Sequence, residues 1–75
     1  MEYLLSGAPY NKELCIKSVD ITSANLSRRL SELGLVCGQK IKVLFAPTKH
    51  NKLIEVRQCV FALDIKVCEG VVVYE

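Results

Sequence analysis

The chain has 75 residues, which is enough for one domain only, and we assign residues 1–75 to that domain. Hydrophobic residues make up 51% of the sequence, but no apolar run approaches the roughly 20 residues that cross a bilayer, which argues against membrane insertion. The net charge of +2 comes from ten basic and eight acidic residues that alternate along the chain, which argues against a dedicated nucleic-acid-binding protein.

The first predicted element is a strand. Residues 13–19 combine β-branched and apolar side chains, a composition typical of strands, and punctuating residues precede them. A helix is predicted to follow, because Asp20, Thr22 and Ser23 each offer a side-chain oxygen that can cap a helix N-terminus.

The predicted helix has one apolar stripe and a defined end. Leu26, Leu30 and Leu33 recur at helical spacing, so we expect them to face the core together. Gly34 then provides the left-handed residue that commonly ends a helix. In this arrangement Leu35 packs back against Leu30, as in a Schellman motif.

A β-hairpin is predicted next. Residues 40–45 alternate polar and apolar side chains, and the positions expected to face inward are Ile41, Val43 and Phe45. Pro47 is expected to end this strand, and residues 48–52 form a polar connection. A second strand is predicted over residues 53–57.

The end of the chain is predicted to contain a short helix and a final strand. Residues 60–67 fit either a helix or a strand, and we interpret them as one or two helical turns. Gly70 breaks this segment, and Val71–Tyr74 forms the last strand. The resulting mainly β chain can hide its sheet edges by curling into a small barrel. If the last strand lies at an exposed edge, it can also pair in a homodimer.

The residues that usually carry chemistry are sparse. The only histidine, His50, lies in the polar connection, and no paired carboxylates or Gly-rich phosphate loop accompany it. The four cysteines, none of them in a CxxC pair, are Cys15, Cys37, Cys59 and Cys68. We expect reduced thiols that act as small hydrophobic residues, with a thiolate metal site as the alternative if Cys37 and Cys59 meet. We therefore predict no enzymatic activity and no cofactor.

Residues 29–44 resemble the signature of the FeoA family. They contain an Arg-Leu pair, a Leu-Gly-Leu turn and, after Gly38, an Ile-x-Val strand. Cys37 stands where the family usually has proline before the glycine, and Gln58 and Cys59 stand where a glycine is common. These departures fall in predicted turns.

Three later segments extend the resemblance in the same order. Residues 54–56 resemble the second hairpin strand of the family, Ala62 and Leu63 match its Ala-Leu pair, and residues 71–73 match its terminal strand. The likeness therefore covers most of the chain.

The resemblance implies both a fold and a function. The fold is mainly β, a small SH3-like barrel with one helix after the first strand and a short helical turn before the last strand. The implied function is that of a cytosolic accessory protein that binds an FeoB-type ferrous iron transporter, in particular the G domain of that transporter. The alternatives are an SH3-like interaction domain of the iron-dependent regulator type and a small nucleic-acid-binding barrel.

For the partner-binding surface we expect an apolar centre with a polar rim. Side chains at the margins of the predicted helix supply the centre, and cationic or polar residues of the helix and hairpin tip supply the rim. The predicted set is Leu26, Leu35 and Val36 for the centre, and Arg28, Arg29, Lys49, His50 and Asn51 for the rim.

Overall fold

A computed structural model describes residues 1–75, which form six strands, two α-helices and one 3-10 turn. The elements in chain order are β1 (Glu2–Leu4), the 3-10 turn (Leu5–Gly7), β2 (Glu13–Val19), α1 (Ala24–Glu32), β3 (Lys40–Thr48), β4 (Asn51–Val56), β5 (Cys59–Asp64), α2 (Ile65–Cys68) and β6 (Val71–Tyr74). The predicted first strand, helix, hairpin and last strand are all present. Strand β1 was not predicted from the sequence.

The six strands form one antiparallel sheet in the order β1-β6-β2-β3-β4-β5. The last strand, β6, therefore lies between β1 and β2 and has hydrogen-bonded neighbours on both sides. The expectation that β6 is an exposed edge is wrong, because β1 folds back against it. The free edges of the sheet are β1 and β5.

Inward-facing side chains from five of the strands form one apolar core. The strand residues of that core are Leu14, Ile16, Ile41, Val43, Ile54, Val56, Leu63, Val71 and Val73. Most of them recur at every second position of a strand, as expected when one face of a sheet is buried. Because all of them join a single cluster, the sheet must curl around it, as a barrel does.

Helix α1 begins at the predicted cap and ends at the predicted glycine. The Ser23 hydroxyl accepts a hydrogen bond from the amide of Leu26 at 3.3 Å. Gly34 has φ +98°, and the amide of Leu35 donates to the carbonyl of Leu30 at 2.9 Å. Leu30 and Leu35 are both 2% exposed, so the predicted Schellman contact is confirmed.

The apolar stripe of α1 is narrower than predicted. Leu30 is buried and Leu26 is half-buried, but Leu33 is 46% exposed. Leu33 is the C-cap residue, and Leu35, which follows Gly34, fills the core position below Leu30. The expectation that Leu33 faces the core is therefore wrong.

The β3–β4 hairpin differs from the prediction because β3 is irregular. The register shifts between Val43 and Phe45, so Phe45 pairs with Leu53 and lies 50% exposed. An extra residue in one strand changes which face the following side chains occupy. A second shift follows Phe45, and β3 passes Pro47 instead of ending there, because a proline is tolerated where the pairing is irregular.

Residues 60–67 are mostly strand. β5 occupies Cys59–Asp64, and only Ile65–Cys68 is helical. The predicted helical turns over the whole segment are wrong, because every residue of β5 pairs with a residue of β4. The sequence pattern fits either a helix or a strand, and pairing with β4 stabilises the strand.

Lys52 belongs to β4 and not to a polar connection. Its side chain is nearly buried, and its ammonium donates a hydrogen bond to the carbonyl of Ser6. The same nitrogen lies 5.2 Å from the centroid of the Tyr10 ring. A buried cation needs such partners, and through them Lys52 attaches the N-terminal turn to the sheet.

Gly70 sits where two chain segments approach closely. Its carbonyl accepts a hydrogen bond from the amide of Asp20 at 2.6 Å. A Cβ atom at this position would lie 2.7 Å from the carbonyl oxygen of Asp20 and 2.7 Å from Cδ1 of Ile21. Only glycine fits here without a backbone shift.

We predict that Gly70→Ala lowers the free energy of unfolding by about 2 kcal/mol, because the backbone at Asp20 cannot yield as a flexible side chain would. The melting temperature should fall by on the order of 10 °C in thermal denaturation followed by circular dichroism. Gly7→Ala is the matched control, since a Cβ atom at Gly7 meets nothing within 4 Å. Equal stability of the two variants would contradict the prediction.

Candidate partner-binding surface

The helices α1 and α2 border a shallow groove of about 280 Å³. We call it the α1–α2 groove. Three apolar side chains lie in it among polar neighbours, and its lining consists of Asp20, Ile21, Thr22, Ser23, Leu26, Lys66, Val67 and Gly70. Ile21, Leu26 and Val67 are each half-buried, packed on the core on one side and open on the other.

The position of the groove follows from local backbone chemistry. Ser23 caps α1, which places Leu26 in its first turn. Asp64 caps α2 by accepting a hydrogen bond from the amide of Lys66 at 2.8 Å. The close approach of Gly70 to Asp20 then holds the end of α2 against the segment that precedes α1.

The three residues predicted to form the apolar centre of the contact differ in their exposure to solvent. Leu26 lies in the α1–α2 groove, half-buried. Val36 is also half-buried, just after the helix cap. Leu35 is 2% exposed, so the expectation that it stays partly exposed is wrong. It is a core residue held by the Schellman motif and is not available to a partner.

The predicted rim residues are accessible. Arg28 and Arg29 are exposed on α1. Lys49 and His50 form the exposed two-residue turn of the β3–β4 hairpin, and Asn51 begins β4 half-buried. None of these residues takes part in an ion pair within the chain.

The hairpin tip is attached to α2. The amide of His50 donates to the hydroxyl of Thr48 at 3.1 Å, and the carbonyl of His50 accepts from the amide of Ile65 at 2.7 Å. Because Lys66 and Val67 line the groove, the same short helix contacts the tip and the groove. The structure thus connects the two parts of the predicted surface through α2.

A second groove, of about 260 Å³, lies on the β2–β3–β4 side of the sheet. Only one of its eight lining residues is apolar, and the charged ones are Glu13, Lys40, Lys42, Glu55 and Arg57. Lys40 and Glu13 form an ion pair at 3.4 Å. Because both signs of charge are interspersed, this groove lacks the basic surface that a nucleic-acid site needs.

The cysteines are all free and differ strongly in exposure. Cys37 and Cys59 are exposed, and the Cys37 thiol donates to the carbonyl of Lys17 at 3.0 Å. Cys68 is fully buried, and burial raises the pKa of its thiol to about 11. The structure contains no group of three or more His, Cys, Asp or Glu side chains placed to hold a metal ion.

The sequence analysis missed an exposed apolar surface on the outer face of β3, β4 and β5. Phe45 is 50% exposed and Val60 is 52% exposed. Phe45 pairs with Leu53, which in turn pairs with Ala62, so these side chains form a row across the strands. The continuous apolar run of residues 59–63 could have indicated this strand surface, but residues 60–67 were interpreted as helical.

No helix of the chain is both long enough and apolar enough to span a bilayer.

Comparison with known families and structures gives a consistent result. The FeoA domain family matches residues 3–75. No curated protein sequence gives a significant match. The solution structure of an FeoA protein from Chlorobium tepidum is 30% identical, with a TM-score of 0.85 over 96% of this chain and 69% of that one.

Two further structures resemble the fold. FeoA from Stenotrophomonas maltophilia, described as a prokaryotic SH3-domain protein in complex with zinc, is 34% identical, with a TM-score of 0.78 over 92% of this chain and 86% of that one. The prediction of a small SH3-like barrel is thereby confirmed. A manganese-dependent transcriptional repressor is 9% identical, with a TM-score of 0.83 over 99% of this chain and 41% of that one, which shows likeness of fold alone.

We predict that alkylation separates the cysteines by exposure. At pH 8 iodoacetamide should modify Cys37 and Cys59 readily, whereas Cys68 should hold about 100-fold less thiolate than a thiol with the ordinary pKa of 9.0. Because its pKa is raised, Cys68 stays protonated until the pH approaches 11. Peptide mass spectrometry measures the rates, and denatured protein is the control in which all four cysteines react. Rapid modification of Cys68 in the folded protein would contradict the prediction.

Proposed function

Because this chain belongs to the FeoA family, we propose that it is a non-enzymatic accessory protein that binds an FeoB-type ferrous iron transporter. The proposed site of contact is the α1–α2 groove, and the proposed partner is the G domain on the cytoplasmic side of the transporter. The protein would thus assist iron transport by binding.

The observation that carries the proposal is the composition of the α1–α2 groove. Leu26, Ile21 and Val67 present partly exposed apolar surface, and polar side chains surround them. An apolar centre within a polar rim is the usual anatomy of a protein–protein contact. Truncating such a central anchor typically costs more than 1 kcal/mol of binding free energy.

The charged rim supports a protein partner with acidic residues near its contact. Arg28 and Arg29 extend from the same helix as Leu26, and neither has an acidic partner in the chain. Lys49 lies at the hairpin tip that contacts α2. Complementary charge at a rim raises the rate of association and sets the orientation of the partner.

The placement of the reactive side chains favours binding over catalysis. His50, the only histidine, is exposed at a hairpin tip, where its backbone makes the ordered hydrogen bonds. Cys68 is buried as a thiol. The raised pKa of Cys68 keeps its thiol protonated, and a protonated thiol is a poor nucleophile.

The first experiment is an NMR titration of the isotope-labelled chain with the G domain of an FeoB-type transporter, in both nucleotide states. We expect saturable amide shifts centred on Leu26, Val67 and Gly70, the residues that surround the groove. A folded chain that shows no shift with either nucleotide state would reject the G domain as the partner. Shifts centred on the β2–β3–β4 groove would reject the site.

A pair of leucine variants tests the contact itself. Leu26→Asp should weaken binding about tenfold or more, because it places a carboxylate in the apolar centre of the contact. Leu33→Asp is the matched control, since Leu33 is an exposed leucine at the end of the same helix and outside the groove. Calorimetric affinities that fall equally in both variants would contradict a specific role for Leu26, and circular dichroism verifies that each variant is folded.

A further inference from the structure

The edge strand β5 lacks the features that usually prevent a sheet edge from pairing with another chain. It has six residues, pairs with β4 in six consecutive positions without a bulge, and contains no lysine, arginine or proline. Its first five residues, 59–63, are all apolar. Long, regular and apolar edges of this kind are templates for strand addition.

The opposite edge, β1, is protected. It contains only three residues, and Glu2 in it forms an ion pair with Lys17 of β2. Glu75 also holds this end of the sheet, because its carboxylate accepts a hydrogen bond from the Tyr3 hydroxyl at 2.6 Å and pairs with Lys12 at 2.7 Å. Short, charged edges resist pairing with another chain, so the difference between the two edges points to β5.

The backbone of β5 has a regular set of unused hydrogen-bonding groups. The β4–β5 turn has two residues, Arg57 and Gln58, so Val56 and Cys59 form a hydrogen-bonded pair. The pattern then alternates along the antiparallel ladder. The N–H and C=O groups of Val60 and Ala62 therefore point away from β4, toward the open edge.

We propose that a second copy of this chain pairs with β5, strand to strand and antiparallel, with Phe61 on the two-fold axis. In this register Val60 of one copy lies opposite Ala62 of the other, and each such pair exchanges two backbone hydrogen bonds. Cys59 lies opposite Leu63, so the whole apolar run of residues 59–63 is covered. The two six-stranded sheets become one continuous sheet.

Two observations favour a second copy over an unrelated strand. First, a self-complementary run needs its apolar centre on the two-fold axis, and Phe61 is the central residue of 59–63. Second, the register places Asp64 of one copy opposite Gln58 of the other, and the exposed Gln58 amide can donate a hydrogen bond to the carboxylate. Asp64 has no ion-pair partner within its own chain.

Side-chain burial favours the same arrangement. Ala62 continues the exposed outer row that Phe45 and Leu53 begin, and Val60 lies on the same face two residues away, so pairing joins the two outer faces across the two-fold axis. A register centred on Ala62 would instead place Asp64 opposite Val60, which sets a carboxylate against an apolar side chain. The turn residues Arg57 and Gln58 hold positive φ values of 53° and 68°. Nε of Arg57 donates to Oε1 of Gln39 at 3.2 Å, so the Arg57 side chain lies toward the start of β3, and Gln58 is the turn residue opposite Asp64.

This surface is separate from the α1–α2 groove, so the dimer proposal does not depend on the proposed function. No residue of β5 lines that groove. The contact area of two short strands is small compared with that of obligate dimers, so we expect dimers that dissociate on dilution.

The test is sedimentation velocity of the full chain from micromolar to millimolar concentration, with NMR hydrogen exchange as the site-specific readout. The mass should rise from 8.4 kDa toward twice that value with concentration. The amides of Val60 and Ala62 should exchange more slowly as the dimer forms. A monomer over the whole range, or protection confined to other strands, would overturn the proposal.

Three variants make the test specific. Ala62→Pro removes a donor that β4 does not use, and Val60→Lys places a charge at the open edge; both should shift dimerisation to at least tenfold higher concentration. If Ala62→Pro folds poorly, Val60→Lys serves as the test alone, because a lysine at residue 60 keeps the backbone groups that pair with β4. Leu4→Lys is the matched control, because Leu4 is a 49% exposed apolar residue on the other edge, and this variant should dimerise normally. Loss of the dimer in Leu4→Lys alone would overturn the assignment to β5.

Discussion

The insertion of the last strand between the first two is the constraint on which the rest of the fold depends. β6 gives β1 its only partner in the sheet and joins it to β2. Its buried valines, Val71 and Val73, join the core that both neighbours share. Because this pairing joins the two ends of the chain, a small domain obtains a continuous core without a disulfide.

The same constraint creates the α1–α2 groove. For β6 to enter beside β2, the chain must turn within the few residues after β5, and α2 and Gly70 provide that turn. The turn presses Gly70 against Asp20, which leads into α1. The groove is thus a consequence of how the sheet is completed, and half-buried Leu26 lines it together with Lys66 and Val67 of α2.

The insertion of β6 also determines which edges remain. With β6 inside the sheet, the charged three-residue β1 is one edge and the apolar six-residue β5 is the other. The protein therefore offers two different surfaces, a groove with a polar rim and a strand with free backbone groups.

Several elements have local signals and could therefore be predicted from the amino-acid sequence. The Ser23 cap, the Gly34 Schellman end and the Val71–Tyr74 strand each depend on residues within a few positions, so spacing and side-chain chemistry predicted them. The resemblance of residues 29–44 to one family predicted the SH3-like fold. The remaining features depend on contacts between residues that are distant in sequence, and only the folded chain reveals them. Pairing with β4 made residues 59–64 a strand, the register shift in β3 turned Phe45 outward, and pairing with β1 placed β6 inside the sheet. Periodicity reports which side of an element is apolar, but not which partner covers it, and these positions differ from the prediction for that reason.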